Sequence, residues 1–139
     1  MRDSEIKIIR AAEEWRQIFD SMIDAVLVIN TGLTITRLNK AAAKLFRDNP
    51  KELVGKSCFQ LIYGRESPCD TCPHKGISEN GNHEIWDEHI PHLGKTMLID
   101  VSPITEGNVT SSNYIHVLRD ITEIKSIKIE QEKSQLQLI

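Results

Sequence analysis

The stretch Tyr114-Ile115-His116-Val117-Leu118-Arg119-Asp120-Ile121-Thr122-Glu123-Ile124 decides the architecture, because two secondary-structure patterns meet inside it. Up to Leu118 it is rich in β-branched and aromatic side chains, which suit a half-buried strand. From Lys125 to Ile139 there is no Gly and no Pro, and Lys, Glu, Gln, Ile and Leu are mixed without a turn signal. A strand therefore runs into a charged helix, and Arg119 to Ile124 is the join.

Working back from the join, two more runs read as strands, Glu84 to Ile90 and Thr96 to Ile104. Turn chemistry lies at Pro91 to Lys95 and at Glu106 to Ser112, which leaves Asn113 to Leu118 as the last strand. Near the start, Ala25-Val26-Leu27-Val28-Ile29-Asn30 and Thr34 to Asn39 flank Asn30-Thr31-Gly32 and read as a β-hairpin. Asn39-Lys40-Ala41-Ala42-Ala43-Lys44-Leu45-Phe46 reads as a short helix, with Asn39 as its cap, Leu45 and Phe46 facing inward, and Asn49-Pro50 as its end. From Lys51 to Asn82 the glycines and prolines punctuate loops and short helices. Ahead of all this, Ile8, Ala12, Trp15, Phe19 and Met22 recur at spacings of 4, 3, 4 and 3, the stripe of an amphipathic helix that has to bury itself. The order of elements predicts an α+β fold, an antiparallel sheet with helices segregated to one face.

Four segments in this order resemble the PAS domain family. Phe19 to Asn30 is similar to the family's opening segment, Leu38-Asn39-Lys40-Ala41-Ala42 to its Asn-x-Ala helix, Leu53-Val54-Gly55-Lys56 to its mid-domain Gly turn, and Asp120-Ile121-Thr122 to the signature that closes its last strand. The resemblance covers about residues 15 to 125. It implies a five-stranded sheet of order 2-1-5-4-3, with the helical segment from Asn39 to Glu79 over one face and helices flanking both ends. The division expected is residues 1–22 as an N-terminal amphipathic helix, 23–120 as the PAS core, and 121–139 as the start of a C-terminal signalling helix. Such domains occur most often in bacterial and archaeal sensor histidine kinases, so the resemblance implies a sensor in two-component signal transduction, with an output domain in the parent chain. The fold leaves the signal unspecified.

A chain of 139 residues with 40% hydrophobic content builds one packed core with short extensions. A net charge of -3 gives no basic footprint for nucleic acid, which needs clustered Lys and Arg. No apolar run approaches a membrane span and none has the form of a signal peptide, so the segment is expected to be cytoplasmic and without membrane contact. A longer parent could still be membrane-attached.

All three cysteines fall in one window, Cys58-x10-Cys69-x2-Cys72, with the last two inside Pro68-Cys69-Asp70-Thr71-Cys72-Pro73. A C-x-x-C pair offers two thiolates to one metal ion or to one disulfide, and the flanking prolines stiffen its loop. Zinc or an iron–sulfur cluster takes four ligands as a rule, so Cys58, Cys69 and Cys72 would need His74, another histidine or a second chain. Reversible thiol–disulfide sensing needs only two of the thiols. A buried Cys58 beside an inert pair is the bland alternative. Some PAS domains of sensor kinases are similar here, with Gly-Lys-x-Cys followed by Pro-Cys-x-x-Cys-Pro. Two cofactors are disfavoured. In flavin-binding LOV domains the cysteine lies in Asn-Cys-Arg-Phe-Leu-Gln, whereas Ser57-Cys58-Phe59-Gln60-Leu61-Ile62 lacks the Asn and the Arg. The haem attachment motif C-x-x-C-His is broken by Pro73, although His74 could serve as a proximal ligand.

His83, His89 and His92 surround the strand from Glu84 to Ile90, but alternation puts His89 with Ile85 and Asp87 while the other two fall in turns, so a solvated strand edge is expected. No Ser-His-Asp order, phosphate-binding Gly loop or helical carboxylate pair is present, and no enzyme active site is legible. The terminal helix carries Ile121, Ile124, Ile127, Ile129, Leu136 and Leu138, with Lys128, Gln131 and Gln135 interrupting a heptad seam. A homodimer through the N-terminal stripe is the expected assembly. A PAS interaction module with no small ligand is the alternative to a sensor.

Overall fold

The computed structural model describes residues 2–68, 83–106 and 109–137. In chain order the elements are α1 (Asp3–Ser21), β1 (Ala25–Ile29), β2 (Ile35–Leu38), α2 (Lys40–Phe46), α3 (Pro50–Leu53), α4 (Cys58–Tyr63), β3 (Glu84–Ile90), β4 (Lys95–Glu106), β5 (Val109–Asp120) and α5 (Thr122–Gln137). The strands form one antiparallel sheet of order β2-β1-β5-β4-β3, as the resemblance implied. The part of the expected helical cover from residue 69 onward lies outside the described residues.

Alternation along the strands sorts side chains onto two faces. Ala25, Leu27 and Ile29 of β1 stand opposite Leu118, His116 and Tyr114 of β5, and these in turn oppose Ile99, Val101 and Pro103 of β4. That face is covered by α2 to α4, whose Ala42, Leu53, Cys58 and Ile62 join Leu27, Ile29, Ile35, Met97 and Leu118 in one buried cluster. Each large aliphatic side chain so buried contributes roughly 1.5–3 kcal/mol. The free side of β2 is closed by the chain after α3, where Gly55 N donates to Ile35 O at 2.8 Å and Ile35 N to Lys56 O at 2.9 Å. That pairing covers the edge at its first residue.

Two local readings need correction, and a third gains detail. Asn49-Pro50 opens α3 instead of closing α2: the Asn49 side chain accepts from Lys51 N, Pro50 takes the first helical turn, and α2 ends earlier on Arg47 at φ 55°. In the β1–β2 connection the left-handed residue is Leu33 at φ 63°, held by Leu33 N donating to Asn30 O and Thr34 N to Asn30 Oδ1, each at 3.0 Å, so Asn30 organises the turn. The last hairpin is longer than turn chemistry suggested, with backbone pairing continuing through Thr105–Thr110 and Glu106–Val109 beyond a register shift at Pro103 to Thr105. Pro103 cannot donate to the ladder, and a shift there lets the strands carry on past it.

The N-terminal stripe does not bury itself on its own chain. Only Phe19 of α1 is buried, while Ile8 is 68% and Trp15 49% exposed. Trp15 stacks on Phe19 at 4.8 Å between centroids, and the Arg37 guanidinium lies 5.6 Å from the Trp15 ring centroid. The helix meets the domain mainly at its C-terminal end.

That end is held by Asn39. Its carboxamide is fully buried; Oδ1 accepts from Val26 N and Ala42 N, both at 3.0 Å, and Nδ2 donates to Phe19 O at 3.1 Å and Asp24 O at 3.0 Å. One side chain thereby caps α2, fixes the start of β1 and satisfies a terminal carbonyl of α1. Replacing Asn39 with Ala removes all four hydrogen bonds and strands buried backbone groups, and at about 1 kcal/mol for each bond the loss is roughly 3–4 kcal/mol. Urea unfolding of Asn39→Ala and Asn39→Asp, which keeps the two acceptor bonds, is expected to rank the variants Ala below Asp below the natural chain. Equal midpoints for all three would show that the carboxamide does not organise the fold.

Candidate functional site

The densest polar constellation among the described residues is the join between β5 and α5. Ile121 is buried and its amide donates to Thr96 O at 2.9 Å, so the last residue before the helix is still stitched to β4. The Asp120 carboxylate accepts from Thr122 N at 3.0 Å and from Thr122 Oγ1 at 2.6 Å, and it pairs with Lys95 Nζ at 3.1 Å. Thr122 Oγ1 in turn accepts from Thr96 N at 2.9 Å. An acidic side chain beside orphan amides at a helix start both caps the helix and complements its dipole.

Two ion pairs extend this clasp across the sheet. Arg119 on β5 grips the carboxylate of Asp24, just ahead of β1, with Nε at 3.2 and 3.3 Å and Nη2 at 3.0 Å. Lys125, one turn into α5, pairs with Asp87 on the outer face of β3. The hydrogen bond from Lys125 and its charge hold the Asp87 carboxyl below the ordinary range. At Asp120 the Thr122 hydroxyl is the main cause of the same depression, with the Thr122 amide and Lys95 adding to it. Asp24 raises Arg119 above its already high value. These groups are exposed enough that each pair is a positional device more than a source of stability.

On the helix-covered side, polar groups stand among the apolar ones. Cys58 opens α4, is 6% exposed, and its amide donates to Leu33 O at 2.9 Å. Tyr63, at the end of the same helix, donates its hydroxyl to Glu88 Oε1 at 2.7 Å, and Trp86 Nε1 lies 3.5 Å from that oxygen. His116 is buried on β5, paired across the ladder with Leu27 and Val101. Gly64 closes α4 at φ 66°, a conformation that favours glycine, and a Cβ there would meet His92 Nδ1 at 2.6 Å, so the exposed imidazole would have to swing away.

The cysteine window is described only at Cys58; Cys69, Cys72 and His74 lie outside the described residues. Among the described residues no group of three or more His, Cys, Asp or Glu could hold a metal ion. His83, His89 and His92 are not brought together: His83 is exposed ahead of β3, His89 contacts Thr96 Oγ1 at 3.1 Å, and His92 packs on Gly64. As alternation required, Ile85, Asp87 and His89 face outward while Ile90 is buried. The partners of Asp24, Asp87 and Glu88 escape sequence reasoning, because Arg119, Lys125 and Tyr63 are distant in the chain and no local spacing announces them. For Asp120 and Thr122 the signal was the Asp-Ile-Thr triplet.

The depressed carboxyls set a pH dependence. Unfolded Asp titrates at about 4, so the stabilisation is complete above that value and is lost as pH falls through the lower folded values. Exchange of the Lys125 amide, which donates to Ile121 O at 2.9 Å, reports the first turn of α5. Its protection is expected to persist down to about pH 4 and to fall below it, and to be weakened at neutral pH by Asp120→Asn. Protection independent of both pH and Asp120 would remove the clasp from the account.

No helix among the described residues is long and apolar enough to cross a membrane. Residues 23–123 match the sequence model of the PAS domain family. Sporulation kinase E of Bacillus subtilis (strain 168) is 22% identical over 137 residues, which is 97% of this chain and 18% of that protein, so this chain spans less than a fifth of its relative. The PAS domain of nitrogen regulation protein NR(II) from Vibrio parahaemolyticus superposes with a TM-score of 0.57 at 24% identity, over 76% of this chain and 96% of that one. The PAS domain of BvgS from Bordetella pertussis gives a TM-score of 0.61 at 16% identity, over 93% and 98%. At such identities the solved structures share the fold, and the matched span of sequence carries the assignment: this chain belongs to the PAS domain family.

Proposed function

We propose that this chain is the regulatory sensor module of a signal-transduction protein, a sensor histidine kinase, in which residues 23–120 receive the signal and residues 121–139 begin the helix that delivers it. The observation that carries this reading is the clasp at Arg119 to Lys125, through which α5 is fastened to β3 and β4 while Arg119 ties the same strand end to the segment before β1. A change in how the sheet meets its covering helices moves strand ends, and α5 is attached to those ends. A signal shifts the equilibrium only by binding one disposition of α5 better than the other. The kinase relationship of Sporulation kinase E supports the output assignment. In the intact parent kinase, Lys125→Asp is expected to change basal autophosphorylation, and Asp87→Lys with Lys125→Asp to return it toward the natural level. Basal activity unmoved by either single exchange would separate α5 from signal relay.

Two features refine the proposal. The cysteine window is a candidate input: Cys58 lies in the covered core at the start of α4, where metal binding with Cys69, Cys72 and His74, or a disulfide to Cys69 or Cys72 formed by an external oxidant that takes up the two electrons, would move the helix that touches Glu88 through Tyr63. A homodimer is the expected assembly, because Ile8, Ile124, Ile127 and Leu136 leave apolar surface uncovered on both terminal helices. The alternative, an interaction module without a ligand, rests on this same surface. Sedimentation velocity of anaerobically purified protein, with absorbance spectra and metal analysis of the same sample, reads both features. A dimer is expected, converted to monomer by Ile8→Glu with Ala12→Glu; zinc or an iron–sulfur chromophore lost in Cys69→Ser supports the metal reading, and a disulfide formed under oxidant supports the redox one. A metal-free protein whose Cys58, Cys69 and Cys72 all remain reduced under oxidant would leave the cysteines as packing and loop residues.

A further inference from the structure

We infer a second binding site, for an aromatic carboxylate, in the groove between the C-terminal half of α1 and the β2–α2–α3 segment. The groove encloses about 780 Å³ and is lined by Trp15, Phe19, Val54, Arg16, Arg37 and Lys40 among others. Its volume falls within the range of small-ligand sites, which runs from about 300 to 1,000 Å³. A smaller recess of about 480 Å³ continues from it and shares Arg16, Asp20 and Lys40. This region is separate from the cysteine window and from the α5 clasp and does not depend on the relay, but it includes Ala12, Trp15 and Phe19 of the α1 stripe, so a small ligand here and a second copy packed along that stripe are competing occupants.

Charge is the first argument. Three cations line the groove against one carboxylate, Asp20, whose Oδ1 already accepts from the Lys40 backbone amide at 3.2 Å. Among the described residues Arg16, Arg37 and Lys40 form no salt bridge, as holds for most of the described cations, and what sets these three apart is that they line one concave surface. Unpaired like charges gathered in a concave, partly apolar surface focus a positive potential and favour an anion there. The second argument is shape and chemistry. Trp15 and Phe19, stacked with an interplanar angle of 25°, make an aromatic wall, and Val54, 46% exposed, lies across from it in the lining. A flat apolar body is accommodated between α1 and α3, with its carboxylate toward Arg16 and Lys40, which flank Asp20 where the recess begins, so the two cations have to outweigh that one carboxylate. The Arg37 guanidinium lies over the Trp15 ring, 5.6 Å from its centroid, and adds a third positive charge to the same lining.

The probe is 1-naphthoate, compared with the neutral 1-naphthamide of the same shape, titrated into the full chain by calorimetry and by Trp15 fluorescence in a Trp86→Phe variant. Saturable 1:1 binding of the naphthoate is expected, with the amide weaker by about tenfold and the difference shrinking as salt rises. Arg37→Ala with Lys40→Ala is expected to weaken the naphthoate by about tenfold while leaving the circular dichroism spectrum unchanged. Equal binding of acid and amide, binding indifferent to the double variant, or no heat and no quenching overturns the inference. Apparent affinity that falls as protein concentration rises, together with a dimer lost in the double variant, would assign the groove to a second copy and also overturn it.

Discussion

The buried carboxamide of Asn39 is the interaction on which the rest of the domain depends. A primary amide has two donors and two acceptor lone pairs, and here all are used, on Val26, Ala42, Phe19 and Asp24. Burying such a group without partners would cost about 2–7 kcal/mol, so the backbone of α1, β1 and α2 has few alternatives to the arrangement that satisfies it. The consequence is geometric: β1 starts at a set position, and Asp24, one residue ahead of it, is presented to Arg119 at the far end of β5.

From that fixed start the sheet orders the remainder. β5 lies between β1, which pairs it up to Leu118, and β4, which pairs it up to Asp120, and the hydrogen bond from Ile121 N to Thr96 O carries the restraint one residue beyond the strand. The helix α5 leaves this anchored point with an acidic cap and a lysine paired to the edge strand, while Ile124, Ile127, Ile129 and Leu136 stay exposed. A helix tied at its first turn and uncovered beyond it is suited to transmit a change of direction. Beyond its first turn the described contacts of α5 with the domain are few, so its direction rests on the clasp.

Much of this was legible before any coordinates. Ala25 to Ile29 is a β-branched run that belongs in a sheet interior, and it is a central strand with Leu27 and Ile29 fully buried. Asn39 before an alanine-rich segment announced a cap, and it is one. Its two donor bonds went unread because Phe19 and Asp24 offer backbone carbonyls, which any residue carries. Turn-favouring Ser111 and Ser112 argue for a shorter last strand, whereas ladder pairing keeps them extended within β5. The N-terminal stripe was legible as a helix face and not as an exposed one, since periodicity records which residues are apolar and not what covers them.

The sequence by itself determined the element order, the PAS character and the place where strand becomes helix, because these rest on local propensity, caps and alternation over a few residues. Tertiary structure alone decided which charges meet. Asp24 finds Arg119 across 95 positions of chain and Lys125 finds Asp87 across the sheet, while Arg16, Arg37 and Lys40 gather in a groove from α1, β2 and α2. An ion pair depends on distances of a few ångströms, and only the register of a folded sheet and the packing of helices on it supply those.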